Sequence, residues 1–401
     1  MKETKFKDTE VGRIPEDWQL DRLKENFEFK ANNTLSRDAL SESGVIQDVH
    51  YGDVLIKYGS HLDVNKDSVP YISDSGFKAS LFISDGDVII ADTAEDETVG
   101  KATEVINIGG NKLVSGLHTM WLHPIKQEEY ALGYLGYAFN ASIYHNQLLP
   151  LMQGTKVTSI SKSAIKDTYI VHPSKSEQSR IATALSTIDN LISELGKLIE
   201  KKRAIKQGAM RQLLTGKKRL KGFNEPWVEY EIRNICEVKR GVRVVKNQLN
   251  IEGKFPVFQN TNMPLGYFGN YNVNECTPFV IIGGSAGQIG ICYTKYWAAD
   301  DCAYFECSNM ILKEFLYLIL LHNQKMILQN VRTGTVPRLD RSVLQKLRIR
   351  IPSNIQEQYA ITNICSNMEK EVTHLEVKKA KYESIKQGMM QQLLTGKIRL
   401  K

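Results

Sequence analysis

The side chains best placed to do chemistry in this 401-residue chain are cations and small hydroxyls gathered in short runs. Lys239-Arg240-Gly241-Val242-Arg243 is one run, and Arg332-Thr333-Gly334-Thr335, followed by Arg338 and Arg341, is another. Ammonium and guanidinium groups make charge-assisted hydrogen bonds to phosphate, and the Arg fork can engage two acceptors at once. Such groups suit a nucleic-acid partner, where some contacts set register on the backbone and others read base edges. The earlier part of the chain offers parallel candidates in Lys30, Arg37, Lys57, Tyr58, His61 and Gln153-Gly154-Thr155-Lys156. Each taken singly also fits a solvated surface charge. Their clustering at comparable places in two halves favours an interface, and the net charge of +7 favours a polyanionic partner.

Catalytic readings find less support. The run Gly283-Gly284-Ser285-Ala286-Gly287-Gln288-Ile289-Gly290 lacks the GxGxxG spacing and the Lys-Ser/Thr of a phosphate loop, so a tight turn between strands is expected. The eight histidines form no HExxH pattern, and His118 and His123 read as strand-end residues. Six cysteines all lie beyond residue 235 without CxxC pairs, which predicts reduced thiols and no metal site. No Asn-Pro-Pro-aromatic motif is present. No apolar run reaches the length of a membrane span, and Met1 to Glu10 lacks the apolar core of a signal peptide. A cytoplasmic protein without membrane contact is expected.

The elements that must position these cations are announced by a repeat. Residues 205–221 (IKQGAMRQLLTGKKRLK) and 385–401 (IKQGMMQQLLTGKIRLK) agree at 14 of 17 positions, at an offset of 180. A fixed-period repeat marks one structural unit used twice. Before each copy, apolar residues alternate at spacings of four and three. The first series is Ile181, Leu185, Ile188, Ile192, Leu195 and Ile199; the second is Ile361, Cys365, Met368, Val372, Leu375 and then Tyr382. That is a heptad seam, so two long helices with one narrow apolar stripe each are predicted, paired with one another. Pro173 and Pro352 precede the helices, and Gly216 and Gly396 can supply the left-handed residue that ends them. Gly208 and Gly388 sit inside, where each costs about 1 kcal/mol relative to Ala. Their recurrence predicts a close helix crossing or a docking surface.

One block stands before each helix, giving four segments: 1–172, 173–221, 222–351 and 352–401. The blocks read as short strands broken by Gly, Asn, Asp and Pro. Asp53–Lys57, Asp87–Ala91, Phe255–Phe258 and Phe279–Ile282 are predicted strands. The two blocks share faint echoes, such as Gly12–Trp18 with Gly222–Trp227, but not a sequence. The expected class is α+β: two similar globular domains separated by two long helices that form an antiparallel coiled coil, with approximate two-fold symmetry.

Taken in order, these features resemble the specificity (DNA-recognition) subunit of type I restriction–modification systems. The resemblance spans essentially the whole chain. It rests on the block–helix–block–helix order, the opening Ile14-Pro15-Glu16-Asp17-Trp18 and the duplicated QLLTGK at 212–217 and 392–397. Inside the blocks it rests on Gly52-Asp53-Val54-Leu55, Gly86-Asp87-Val88-Ile89, residues 255–271 and VIIGGSAGQIG at 280–290. It implies two target recognition domains, each reading half of a split sequence in double-stranded DNA, with the helices as a ruler. It implies no cofactor in this chain. The partners would be two methyltransferase subunits using S-adenosylmethionine and, in the full enzyme, two restriction subunits using ATP and Mg. The first block is longer than the second by about 40 residues, a departure from an even division. A helix of about 50 Å, at about 1.5 Å per residue, caps the gap between half-sites at roughly 15 base pairs. Two alternatives stay open: a self-sufficient restriction or modification enzyme, and a helical scaffold that never reads DNA.

Overall fold

The structure is a computed structural model that describes residues 4–154, 156–249 and 253–401. It divides into two compact units: the residues up to Glu194 together with Lys378–Lys401, and Leu195–Val377. The division cuts through both long helices, Lys175–Leu213 and Ile355–Leu393, each 39 residues. Each unit therefore holds the start of one long helix and the end of the other.

In the first unit a five-stranded sheet runs in the order Phe27–Lys30, Thr119–Pro124, Val88–Ala91, Ala102–Ile106, His61–Asp63. All joints are antiparallel except the last. In the second unit the main sheet runs Cys236–Arg240, Cys302–Cys307, Pro278–Ile281, Ile289–Ile291, antiparallel throughout. The order is the same, with one further strand in the first unit. The central strand is buried on both faces in each case. Val88 and Ile90 enter one core while Ile89 and Ala91 enter another; Val280 and Phe279 divide likewise. A strand covered on both faces reads as a continuous apolar run rather than an alternation.

That ambiguity explains one correction. Asp53–Lys57 is predicted as a strand, but Tyr51–Ile56 is a helix. The His50 ring accepts from the Gly52 N–H, and Asp53 sits in the first turn, where a carboxylate favours the helix N-terminus. Val54 is buried and Ile56 is 87% exposed, so the apolar run has no sheet to fill.

The long helices are locked by the repeated tails, in the same way in both units. Glu177 and Glu357, 180 apart, lie in the first turn of their helices. In the first unit Arg399 grips Glu177 through Nε at 2.8 Å and Nη2 at 2.7 Å. In the second unit Arg219 grips Glu357 at 2.7 and 2.8 Å. Next along the helix, Gln178 Oε1 accepts from the Ala131 N–H, and its Nε2 donates to the Glu129 and Pro173 carbonyls. Gln358 repeats this with the Leu312 N–H and the Met310 and Pro352 carbonyls. Both glutamines are fully buried, and an amide there must satisfy its donors and acceptors internally. Gly396 (φ +69°) packs on Pro15 and Trp18, and Gly216 (φ +68°) packs on Trp227. So the faint echo between Gly12–Trp18 and Gly222–Trp227 marks equivalent lids on equivalent helix ends.

The helices contact each other antiparallel within each unit. In the first, partners fall from Arg399 to Lys386 as the other helix rises from Glu177 to Asp189. In the second, Lys202 pairs with Glu371 at 2.5 Å and Lys206 with Glu369. Along the apolar stripe Ile181, Leu185, Ile188, Leu195, Ile199, Ile361, Cys365 and Val372 are buried, while Ile192, Met368, Leu375 and Tyr382 are half-buried. Gly208 and Gly388 do not mark a close helix crossing: a Cβ placed on either would meet nothing within 4 Å. No described helix is long and apolar enough to cross a membrane.

Candidate nucleic-acid interface

In the second unit hydrogen bonds gather four loops onto the ends of the main strands. The Gly283–Gly290 segment turns between two antiparallel strands, with Val280 opposite Ile289. A second loop joins it, because the Asn260 carbonyl accepts from the Ser285 N–H and the Asn262 N–H donates to Gln288 Oε1. The third is a hairpin closed by the Arg332–Arg338 bridge and attached to the turn through a bridge from Arg338 to Gly283. The fourth is the Asp300-Asp301 corner, where Arg338 meets Asp301 at 3.2 Å and Arg240 Nε donates to the Asp300 carbonyl at 2.6 Å. Gly283 is required here, since a Cβ would stand 2.3 Å from Asp301 Oδ1.

Of the predicted residues in this unit, Arg240, Arg332, Thr333, Thr335 and Arg338 share that surface. Arg341 follows it at the start of the helix Arg341–Gln345, capped by Asp340. Arg332, Thr333, Thr335 and Arg341 are exposed and make no side-chain hydrogen bond or ion pair among the described residues, as is also true of Arg243. Lys239 is instead tied to Glu306 at 2.6 Å and Glu237 at 3.4 Å. Sequence reading missed the loop-joining roles of the Asn260 carbonyl, the Asn262 N–H and the Gln288 side chain. Their signal is two polar, Gly-rich stretches whose proximity only the sheet reveals.

The first unit builds the matching corner from different chemistry. A bridge between Gln153 and Ser159 closes the equivalent hairpin, and Ser159 pairs with Thr93 beyond the central strand. Asp92 accepts from Thr93 Oγ1 at 2.7 Å and lies 3.3 Å from His118 Nδ1. His118 holds a left-handed backbone (φ 53°) and meets Tyr51 edge to face. The adjoining loop carries Glu95, Asp96 and Glu97 where the second unit has Ser285, Ala286 and Gly287. Lys156 is exposed on the hairpin, and Thr155 lies outside the described residues.

The other predicted residues of the first unit do not join this corner. Arg37 is half exposed but bound to the buried Asp53 at 2.5 Å. Beside it Asp48 is wholly buried and pushed up to about 6 by that burial. Lys30 is paired with Glu28, and the Lys57 ammonium donates to the Ser68 carbonyl. Tyr58 is 5% exposed, with its ring in the core. His61 bonds the Gly133 carbonyl at 2.8 Å, and burial lowers its proton affinity, so it is a neutral ring inside the unit rather than a phosphate-binding cation. Near it, Glu104 accepts from the Gly133 and Gly136 N–H groups at 2.7 Å, and burial raises its carboxyl to about 7. Among the described residues no group of three or more His, Cys, Asp or Glu is placed to hold a metal ion.

Comparison with known proteins fits this geometry. The family model described as the type I restriction modification DNA specificity domain matches twice, over residues 15–207 and 224–387. A putative type I restriction enzyme MjaX specificity subunit from Methanocaldococcus jannaschii is 24% identical, with 100% of this chain and 98% of that protein aligned. The MjaIX specificity subunit of the same organism is also 24% identical, over 87% and 86% of the two chains. Among solved structures, the S subunit of a type I restriction–modification system from M. genitalium superposes with a TM-score of 0.64. It shares 18% identity and covers 94% of this chain and 96% of that one.

Proposed function

We propose, from the premise that this chain belongs to the type I restriction–modification DNA specificity family, that its two corners read the two halves of one bipartite DNA target. The long helices set the gap between the half-sites and dock two methyltransferase subunits; two restriction subunits complete the full enzyme. In this reading S-adenosylmethionine, ATP and Mg belong to the partners, and this chain contributes recognition. A solved chain of similar fold (TM-score 0.58) comes from work titled for complex assembly of the type I R-M system, which agrees with such partners.

The observation that carries the reading is the contrast between frame and corner. The helix locks correspond in both units: Gln178 and Gln358 each accept one backbone N–H and donate to two carbonyls, and Arg399 and Arg219 each grip the matching glutamate. The corners are equivalent in place yet unlike in charge: one sets Arg240, Arg332 and Arg338 beside Asp300 and Asp301, and the other sets Lys156 beside Asp92, Glu95, Asp96 and Glu97. Arg suits guanine edges and phosphates, while a carboxylate accepts from cytosine. Two unlike half-sites are therefore expected.

The experiment is to map methylated sites in cells expressing this chain with its neighbouring methyltransferase, before and after replacing residues 1–172 with the corresponding block of another family member. A bipartite, non-palindromic motif that changes in one half only is expected. A change in both halves, or methylation without a gap, would overturn the reading.

A further inference from the structure

Two thiols in the second unit face each other across neighbouring strands. Cys236 lies opposite Cys307 in the antiparallel pair, and their sulfur atoms are 3.5 Å apart. Both are free thiols. The Ser308 N–H donates to the Ile235 carbonyl and the Gly241 N–H to the Cys302 carbonyl. Hydrogen-bonded and non-hydrogen-bonded pairs alternate along such a ladder, so Cys236 and Cys307 form a non-hydrogen-bonded pair, with Cα atoms about 4.5 Å apart. That lies within the span a disulfide bridges, about 4.4–6.8 Å. The backbone is thus already set, and only the sulfurs must close.

We infer that Cys236 and Cys307 form an oxidation site, closed to a cross-strand disulfide by a peroxide. Their difference in burial divides the roles. Cys307 is half-buried and reachable, whereas Cys236 is 4% exposed. The Cys307 thiolate attacks one peroxide oxygen; the O–O bond breaks, and the other oxygen leaves as water after taking up a proton. The sulfenic acid formed on Cys307 is then attacked by the Cys236 sulfur, which makes the S–S bond and releases a second water. In sum two thiols and one hydrogen peroxide give one disulfide and two waters. The peroxide is reduced, and each sulfur gives up one electron.

Cys302, on the same strand as Cys307, does not compete. Cys302 is an odd number of residues from Cys307 on the same strand, so its side chain points to the opposite sheet face and is fully buried there. All six cysteines lie in the second unit, so the response is confined to it. The bond would tie the strand that carries Lys239 and Arg240 to its neighbour.

The test is to expose the full chain to hydrogen peroxide, count free thiols in denaturant, and map disulfides without reduction. A fall from six thiols to four (six less the linked two) is expected, with one link joining Cys236 to Cys307 that dithiothreitol reverses. Cys307→Ser, at the more exposed partner, should leave the Cys236 thiol titratable after peroxide. Slower amide exchange along 302–307 in the oxidised wild-type chain is a second readout, independent of any folding defect in a variant. Sulfinic acid on Cys307 with Cys236 still free, or oxidation only at other cysteines, would overturn the assignment.

Discussion

Arg399→Met tests whether the repeated tails hold the helices. The side chain is 9% exposed, and Glu177, which it grips, is 3% exposed. Removing one member of a buried, hydrogen-bonded ion pair costs about 3–5 kcal/mol, because the other charge is left without a partner. Two details narrow the range. The Leu400 N–H still donates to Glu177 Oε1 at 3.1 Å. A stranded carboxylate can also take up a proton, which for an ordinary glutamate costs about 3.7 kcal/mol at pH 7 and about 1 kcal/mol at pH 5. The loss should therefore be about 3 kcal/mol at pH 7 and near 1 kcal/mol at pH 5. The bonds to Asp17 add little, since that carboxylate is 52% exposed. Local opening is best read by hydrogen exchange of the amides in 175–185, where about 3 kcal/mol is roughly a 100-fold fall in protection. Glu177→Gln in the same chain should restore most of it at pH 7. Arg219→Met should leave these amides unchanged, because its partner is Glu357 in the other unit. Less than about a fivefold effect, or an equal loss at pH 5 and pH 7, would refute the reasoning, the threshold corresponding to about 1 kcal/mol.

The helix-ending glycines should rank by what a methyl group would strike. Gly396→Ala puts Cβ 2.2 Å from the rigid Pro15 ring on a backbone at φ +69°, while Gly216→Ala meets the Trp227 ring at 3.0 Å. The left-handed backbone alone costs about 1–2 kcal/mol, so exchange protection in the tails should fall in both variants and further in Gly396→Ala. The buried Asp48 gives a pH dependence. Its carboxyl sits at about 6 in the fold against 3.8 for an ordinary Asp, so the folded state holds the extra proton. Stability of the first unit should then fall as pH rises from about 4 to about 6, and level off above. Asn33 still finds an acceptor in Asp48→Asn, so this variant should flatten that fall and exceed the parent by about 1–2 kcal/mol at pH 7, measured by urea titration at several pH values.

The α+β class, the two blocks and the two long helices were legible because each leaves a periodic trace. A seam at spacings of four and three survives in any sequence that buries one helix stripe. Gly216 and Gly396 were legible as helix ends for a local reason, the positive φ that a Cβ resists. Tyr51–Ile56 was not, since a short apolar run fits a strand or a helix until its neighbours are known. The locks made by Glu177, Gln178, Glu357 and Gln358 were present at the same offset of 180 yet are single polar letters, and their partners come from distant loops. For the candidate interface, the sequence placed the cations but could not show which were already neutralised. Lys30 and Lys239 meet carboxylates two residues away on their own strands, and Arg37 meets one from a helix.

The near-identity of the two tails has two physical sources that the structure separates. Leu213, Leu214, Leu393 and Leu394 are buried, both terminal glycines abut a tryptophan, and Arg219 and Arg399 each hold a buried glutamate. Those positions are the same because each fills the same place in its unit. Two of the three differences, Arg211/Gln391 and Lys218/Ile398, fall at exposed positions, where such constraint is absent. Packing within the chain does not account for the rest. Ile205/Ile385, Gln207/Gln387, Gly208/Gly388 and Lys217/Lys397 are identical and exposed in both copies, and the glycines face open space. Freely solvated positions would drift as the blocks have drifted. Sameness at an exposed surface is what a partner outside the chain enforces when it docks in the same way twice. In the proposed function that partner is the methyltransferase, and the unlike corners are the surfaces offered to DNA.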